Sequence, residues 1–132
     1  MIVDSSAIIA VLDHEEGWES FYDIMASGIQ PLRMSVATQL EATIVISRSK
    51  DSLHRRQLDD LIADFQVEIL PVTLQQGEIA RAAHLTFGKG SGHPAKLNFG
   101  DCFSYALAKD RDEPLLFKGD DFAQTDIVSA LS

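Results

Sequence analysis

The chain has a single cysteine, Cys102, in 132 residues. A lone thiol excludes an internal disulfide and any zinc site built on several cysteines, and it suits a reducing compartment. Long apolar runs are missing too. The opening stretch MIVDSSAIIAVLDHEE meets acids almost at once, has no basic leader and falls well short of the ~20 apolar residues that span a bilayer. The expectation is a soluble, cytoplasmic protein with no membrane association. No segment repeats itself, and no tract is of low complexity.

Basic residues are scarce. Eleven Lys and Arg stand against 20 Asp and Glu, for a net charge of −9, and residues 1–32 contain none of the eleven. Taken alone, this argues against a nucleic-acid partner, because phosphate binding is driven by Lys and Arg. The distribution weakens that argument. Arg33, Arg48, Lys50, Arg55 and Arg56 gather between residues 33 and 56 against only Glu41 and Asp51, and Lys89 and Lys96 follow in a later loop. A local basic stripe on an acidic chain can bind a polyanion, especially where metal ions neutralise its acids. The plainer reading of the stripe is a solvated helix face.

What is present is enough apolar material, 45%, for a real core. The length fits one domain over residues 1–132. MIV reads as a short buried strand, followed by an Ala/Ile/Leu-rich helix to about residue 13. Residues 16–27 give an amphipathic helix with Trp18, Phe21, Tyr22 and Met25 as its apolar members, ended by Gly28. PLRMS is a second strand. Ser35 caps a helix running to about residue 49, and Asp51 or Ser52 opens another that ends near Phe65.

VEIL is a third strand, ended by Pro71. Residues 74–87 form a helix on which Ile79, Ala82, Ala83 and Leu85 recur. GKGSGHPAKLN is a glycine-rich loop. Asn98 then caps a helix on which Phe99, Phe103 and Ala106 share a side. PLLF is a fourth strand, KGDDF a turn, and DIV a candidate fifth strand. Short apolar strands alternating with longer helices predict an α/β/α sandwich around a short, mainly parallel, twisted sheet. In such sheets ligands bind at the carboxyl ends of the strands.

That rule selects four acidic positions. Asp4 directly follows MIV, and Asp120 and Asp121 follow LLF. Glu41 lies two turns into the helix after LRMS, sharing a face with Ala37, Ile44 and Arg48. Asp101 sits in the first turn of the helix that leaves the glycine-rich loop. Each has a local alternative. Asp4 can cap the first helix, Asp101 lies at capping-box spacing from Asn98, and Asp120 and Asp121 are ordinary turn residues beside Gly119. Gathered together, carboxylates repel and call for a cation, and an all-oxygen ligand set selects Mg²⁺ or Mn²⁺ over zinc.

MIVDSSAIIAVL, SVATQLEA, LNFGDCFSYALA and LLFKGDDFAQTDI, in this order along essentially the whole chain, resemble a PIN domain, and specifically the VapC toxins of bacterial toxin–antitoxin pairs. LNFGDCFSYALA is the most specific piece. The resemblance implies a metal-dependent endoribonuclease holding one or two Mg²⁺ or Mn²⁺ ions, with Asp4 and Asp101 as primary ligands. Glu41 and Asp120 would bind through water or hold a second ion. The register within GDDF leaves Asp120 and Asp121 as alternatives for the fourth acid, with Asp120 preferred.

Ser5 stands where the family often has Thr, and Ser6 matches a serine whose hydroxyl can reach the metal site or the scissile phosphate. Arg48 is the candidate phosphate contact. The resemblance also implies a VapB-like antitoxin, an RNA substrate and a homodimer. His14, His54, His84 and His93 form no recognisable metal pair, and Cys102 reads as a small core residue. A phosphatase using Asp-x-Asp is disfavoured because Ser6 stands where the second aspartate belongs. The alternative from another class is a non-catalytic PIN-like module that binds RNA or protein.

Overall fold

The computed structural model describes residues 1–48 and 52–131. Lys50 of the basic stripe and Asp51, the candidate opener of the fourth helix, lie outside the described residues. The strands are β1 (Ile2–Val3), β2 (Arg33–Ser35), β3 (Glu68–Leu70) and β4 (Leu115–Leu116). They form one parallel sheet in the order β3-β2-β1-β4, with Ile2 in register with both Arg33 and Leu115. The helices are α1 (Ser5–Leu12), α2 (Trp18–Ala26), α3 (Val36–Ser47), α4 (Ser52–Asp64), α5 (Leu74–Phe87) and α6 (Phe99–Arg111).

Side chains alternate across a strand, and the two cores follow from that alternation. Val3, Met34 and Leu116 point to one face, where Ile8, Phe21, Ile46 and Leu58 from α1 to α4 cover them. Ile2 and Leu115 point to the other, against Ala80, Ala83, Tyr105 and Leu107 from α5 and α6. This is the expected three-layer α/β/α arrangement. The chain steps from β1 to β2 to β3, then returns past β1 to add β4 on the far side. The order therefore reverses beside β1, and the crevice beyond the carboxyl ends of β1 and β4 is where such a sheet binds ligands. At the opposite, amino end, Glu113 accepts from the Met1 ammonium at 2.8 Å and from Arg33 at 2.6 Å.

Helix ends agree with the sequence to within a residue or two. Gly28, at φ +67°, adopts the left-handed conformation that closes α2. DIV is not a strand. Thr125 Oγ1 accepts from the Ile127 N–H, holding the segment in a turn, and the edge pairing falls later, where Ser129 bridges Leu115 in parallel.

Two apolar periodicities hold only in part. Of the residues expected to recur on α5, Ala83 is buried and Ile79 packs against the core, whereas Ala82 and Leu85 are exposed and Gln76 and Ala80 are buried in addition. Phe99 is 83% exposed, because the buried face of α6 runs through Cys102, Tyr105 and Ala106. Among the described residues no helix is long and apolar enough to cross a membrane.

Candidate active site

Asp4 leaves the carboxyl end of β1 at the N-cap of α1, where its Oδ2 accepts from the Ser6 backbone N–H at 3.1 Å. The same oxygen takes the Ser6 hydroxyl proton at 2.6 Å. Ser6 Oγ in turn accepts from the Lys118 N–H at 3.0 Å, which ties the turn after β4 to the first acid. The proton of Ser6 is thus committed within the fold, and the residue acts here as a strut between Asp4 and residues 117–121.

The other oxygen, Oδ1, accepts from Ser104 of α6 at 2.5 Å. Ser104 Oγ lies 3.1 Å from Thr38 Oγ1 of α3. A hydroxyl has one proton, so Thr38 donates to Ser104 and Ser104 donates to Asp4. All three are essentially inaccessible to solvent. Removing Ser104 strands a buried carboxylate oxygen and a buried hydroxyl, at roughly 1–3 kcal/mol. Ser104→Ala should lower the urea midpoint accordingly. Adding Thr38→Val should cost less than the sum of the two single changes, because both break one chain; strict additivity in urea denaturation would refute the relay.

Glu41 reaches inward from α3 and its Oε1 accepts from Ser5 at 2.7 Å. Burial pushes its pKa up, the Ser5 hydrogen bond lowers it and the Asp4 charge raises it again. The carboxylate lies directly against Gly100 in the first turn of α6. A Cβ at that position would land on the carboxylate itself, so only glycine admits Glu41 beside Asp101.

Asp101 is the third residue of α6 and completes a capping box: Asn98 Oδ1 accepts from its N–H at 2.9 Å, and its Oδ2 accepts from the Asn98 N–H at 3.0 Å. Among the described residues nothing donates to its second oxygen. Burial is the chief force raising its pKa, to about 7; the Asn98 N–H opposes the rise, while Asp4, Glu41 and Asp121 add to it. Three acids, Asp4, Glu41 and Asp121, therefore act on Asp101, and Asp4 acts on Glu41 as well. Asp4, Glu41 and Asp101 are held by elements that meet at the sheet's carboxyl edge. The capping and site readings of Asp101 are not exclusive, since the cap occupies one oxygen and leaves the other.

Both turn acids, Asp120 and Asp121, are exposed. It is the charge of Asp121, at the start of the short 3₁₀ turn Phe122–Gln124, that acts on Asp101. Arg48 is exposed at the C-cap of α3. It lines a groove of about 700 Å³ together with Glu41, Asn98 and Phe99. Among the described residues, no three His, Cys, Asp or Glu side chains close around a point at metal-ligand distance. That spacing still fits Mg²⁺, which binds through one or two carboxylates and keeps several waters. The donor chemistry fits as well, since the carboxylates offer oxygen donors and, among the described residues, no cation is among the charges acting on Asp101 or Glu41.

The site also depends on Thr38 and Gly100, which the motifs do not single out. Thr38 had a signal, being the polar member of a buried stripe with Ala42 and Ile46 at four-residue spacing. Gly100 had none, because its partner Glu41 is distant in sequence.

A PIN domain model matches residues 1–128. Ribonuclease VapC28 of Mycobacterium tuberculosis is 50% identical over 131 residues, covering 99% of this chain and 98% of the relative. Ribonuclease VapC42 of the same species is 40% identical over 130 residues, covering 98% of each chain. The structure of M. tuberculosis VapC20, described as a sarcin-ricin loop cleaving toxin, superposes with a TM-score of 0.78 at 16% identity, covering 99% of this chain and 98% of that one. The toxin–antitoxin complex from Klebsiella pneumoniae gives 0.71 at 16% identity, covering 99% and 97%. The chain belongs to the PIN-domain family and, within it, to the VapC ribonucleases.

Proposed function

We propose that the protein is the toxin of a VapBC-type pair, an endoribonuclease that hydrolyses RNA phosphodiester bonds with Mg²⁺ or Mn²⁺, and that residues 1–132 act as one domain. The observation that carries this reading is the convergence of Asp4, Glu41, Asp101 and Asp121 where the strand order reverses, on residues whose mutual repulsion a divalent cation would relieve. The full-length likeness to curated VapC ribonucleases supports it.

Asp4 and Asp101 would hold the cation directly, with Glu41 and Asp121 binding through water or flanking a second ion. Asp121 replaces Asp120 as the preferred fourth acid because its charge reaches Asp101. When bound, such an ion lowers the pKa of an attacking water and neutralises charge at the phosphate. The chain's own residues do the rest. Ser6, Ser104 and Thr38 fix both oxygens of Asp4, Ser5 and Gly100 fix Glu41, and the capping box fixes Asp101. Arg48, which lines the same groove as Glu41, would take a phosphate of the bound strand.

A VapB-like antitoxin would silence the enzyme by covering this edge. A homodimer accords with the apolar side chains that α3 leaves exposed, Val36, Leu40 and Ile44.

The test is cleavage of a mixed RNA pool by purified protein. Activity is expected with Mg²⁺ or Mn²⁺ and not with Ca²⁺, whose looser coordination activates water poorly. Equal cleavage in excess EDTA would refute the metal role, while RNA binding without cutting under every metal would favour the non-catalytic module.

A further inference from the structure

Among the described residues, four Lys and Arg side chains are spent inside the fold. Arg33 and Arg111 pair with Glu113, Lys109 with Asp126 and Lys118 with Glu15. Among the described residues, Arg81 of α5 and Lys89 of the following loop have no ion-pair partner. Both stand, with His84, on the rim of a cavity of about 540 Å³ between α5 and the start of α6. Its walls are apolar, formed by Ala80, Leu97, Cys102 and the rings of Phe99 and Phe103, and among the described residues no acid lines it. In a chain with 20 acids and a net charge of −9, that is an unusual local balance.

The cavity is large enough for a nucleobase, and its position matters as much as its size. Asn98, Phe99 and Phe103 also line the groove that holds Glu41 and Arg48. The two depressions therefore meet at the Phe99–Phe103 pair, whose rings stand edge to face at 5.0 Å, and Asp101 is two residues from Phe99. Phe99 contributes nothing to the core, being 83% exposed. An aromatic face beside free cations is the equipment by which proteins hold single-stranded nucleic acid, stacking the bases and neutralising the phosphates.

We propose that this cavity receives an unpaired nucleobase next to the scissile phosphate, stacked on the Phe99–Phe103 pair, with Arg81 and Lys89 neutralising the adjoining phosphates. Phe99 then divides the strand between the Arg48 groove and the Arg81–Lys89 cavity, and selects loops and single strands over duplex. The proposal rests on the ribonuclease reading above and adds to it the residues that choose the RNA's shape.

The experiment measures binding of a fluorescent single-stranded RNA pool of mixed sequence, and of a duplex, in EDTA. The Asp101→Asn protein is used as host, so that nothing is cut and the acid repulsion is eased. Phe99→Ala should weaken single-strand binding about five- to hundredfold, the range for losing one base–aromatic stack, and should erase the preference over duplex. Arg81→Ala with Lys89→Ala should flatten the slope of log affinity against log salt by about 0.7 per lost contact. In the otherwise unchanged protein, the same substitutions should leave the thermal stabilisation by Mn²⁺ intact.

If the parent cuts RNA in a metal-dependent way and both variants bind and cut as it does, this inference is overturned and the nuclease reading stands. Variants that keep RNA binding but fall from dimer to monomer in sedimentation would assign the cavity to a second copy and overturn it too. A parent that neither binds nor cuts RNA removes both.

Discussion

Asp101→Asn should reduce RNA cleavage by roughly 100-fold or more, the scale of losing a main electrostatic contributor to a transition state, and yet leave the metal-free protein more stable at alkaline pH. The substitution is close to isosteric, and an amide oxygen can still accept from the Asn98 N–H, so the capping box survives. What disappears is the charge.

In the folded parent Asp101 titrates near 7 against an ordinary 3.8. Between those values the folded chain keeps a proton that the unfolded chain has shed. Asp101 therefore makes the metal-free parent progressively less stable as pH rises from about 4 to about 7, after which its contribution is flat. Below that window parent and variant should unfold alike; above it the variant should be the more stable in EDTA. Mn²⁺ should raise the parent's melting temperature, since it binds only the folded state, and do little for the variant. A variant that melts lower in EDTA at alkaline pH, still responds to Mn²⁺ and still cuts would show that Asp101 is a helix cap and nothing more.

Gly100→Ala should be nearly as damaging to activity while leaving the fold in place. The new methyl group would occupy the position of the Glu41 carboxylate. That carboxylate is the far end of a flexible side chain, so it can swing away at little cost in stability. It leaves its Ser5 hydrogen bond and the neighbourhood of Asp101 when it does. Cleavage should fall about 10- to 100-fold, as when a supporting metal-site group is lost. Urea midpoints should stay close to the parent's. A Glu41→Gln, Gly100→Ala double variant should be no worse than Glu41→Gln alone, because both changes remove the same charge from the same place. A double variant clearly worse than Glu41→Gln would mean that Gly100 serves the site in some other way.

The parts of this architecture that local chemistry dictates are legible in the sequence. Short apolar strands, the caps at Ser35 and Asn98 and the turn at Gly28 mark the elements, and the alternation of strand and helix implies the parallel sheet. The carboxyl-edge rule then places Asp4, Asp101 and the GDDF turn at one rim. What stays hidden depends on distance in space. The Ser104–Asp4 bond joins residues 100 apart in sequence, and no periodicity encodes it. DIV reads as a strand because its β-branched Ile127 and Val128 suggest one, but an edge strand needs a partner at the right register, and Leu115 pairs with Ser129 instead. Phe99 sits at helical spacing from Phe103 and Ala106, which looks like a core stripe. At the first turn of a helix that opens onto the site, the same spacing leaves the ring in solvent.

Whether this acid cluster hydrolyses RNA is decided by mapping RNA 5′ ends after incubating the purified chain with total RNA in Mn²⁺, in EDTA, and as Asp101→Asn in Mn²⁺. The expected result is a small set of discrete ends that appear with the parent in Mn²⁺ and vanish in the other two arms. The same ends in EDTA, or from the Asp101→Asn protein at parental yield, would contradict the assignment of RNA hydrolysis to these carboxylates.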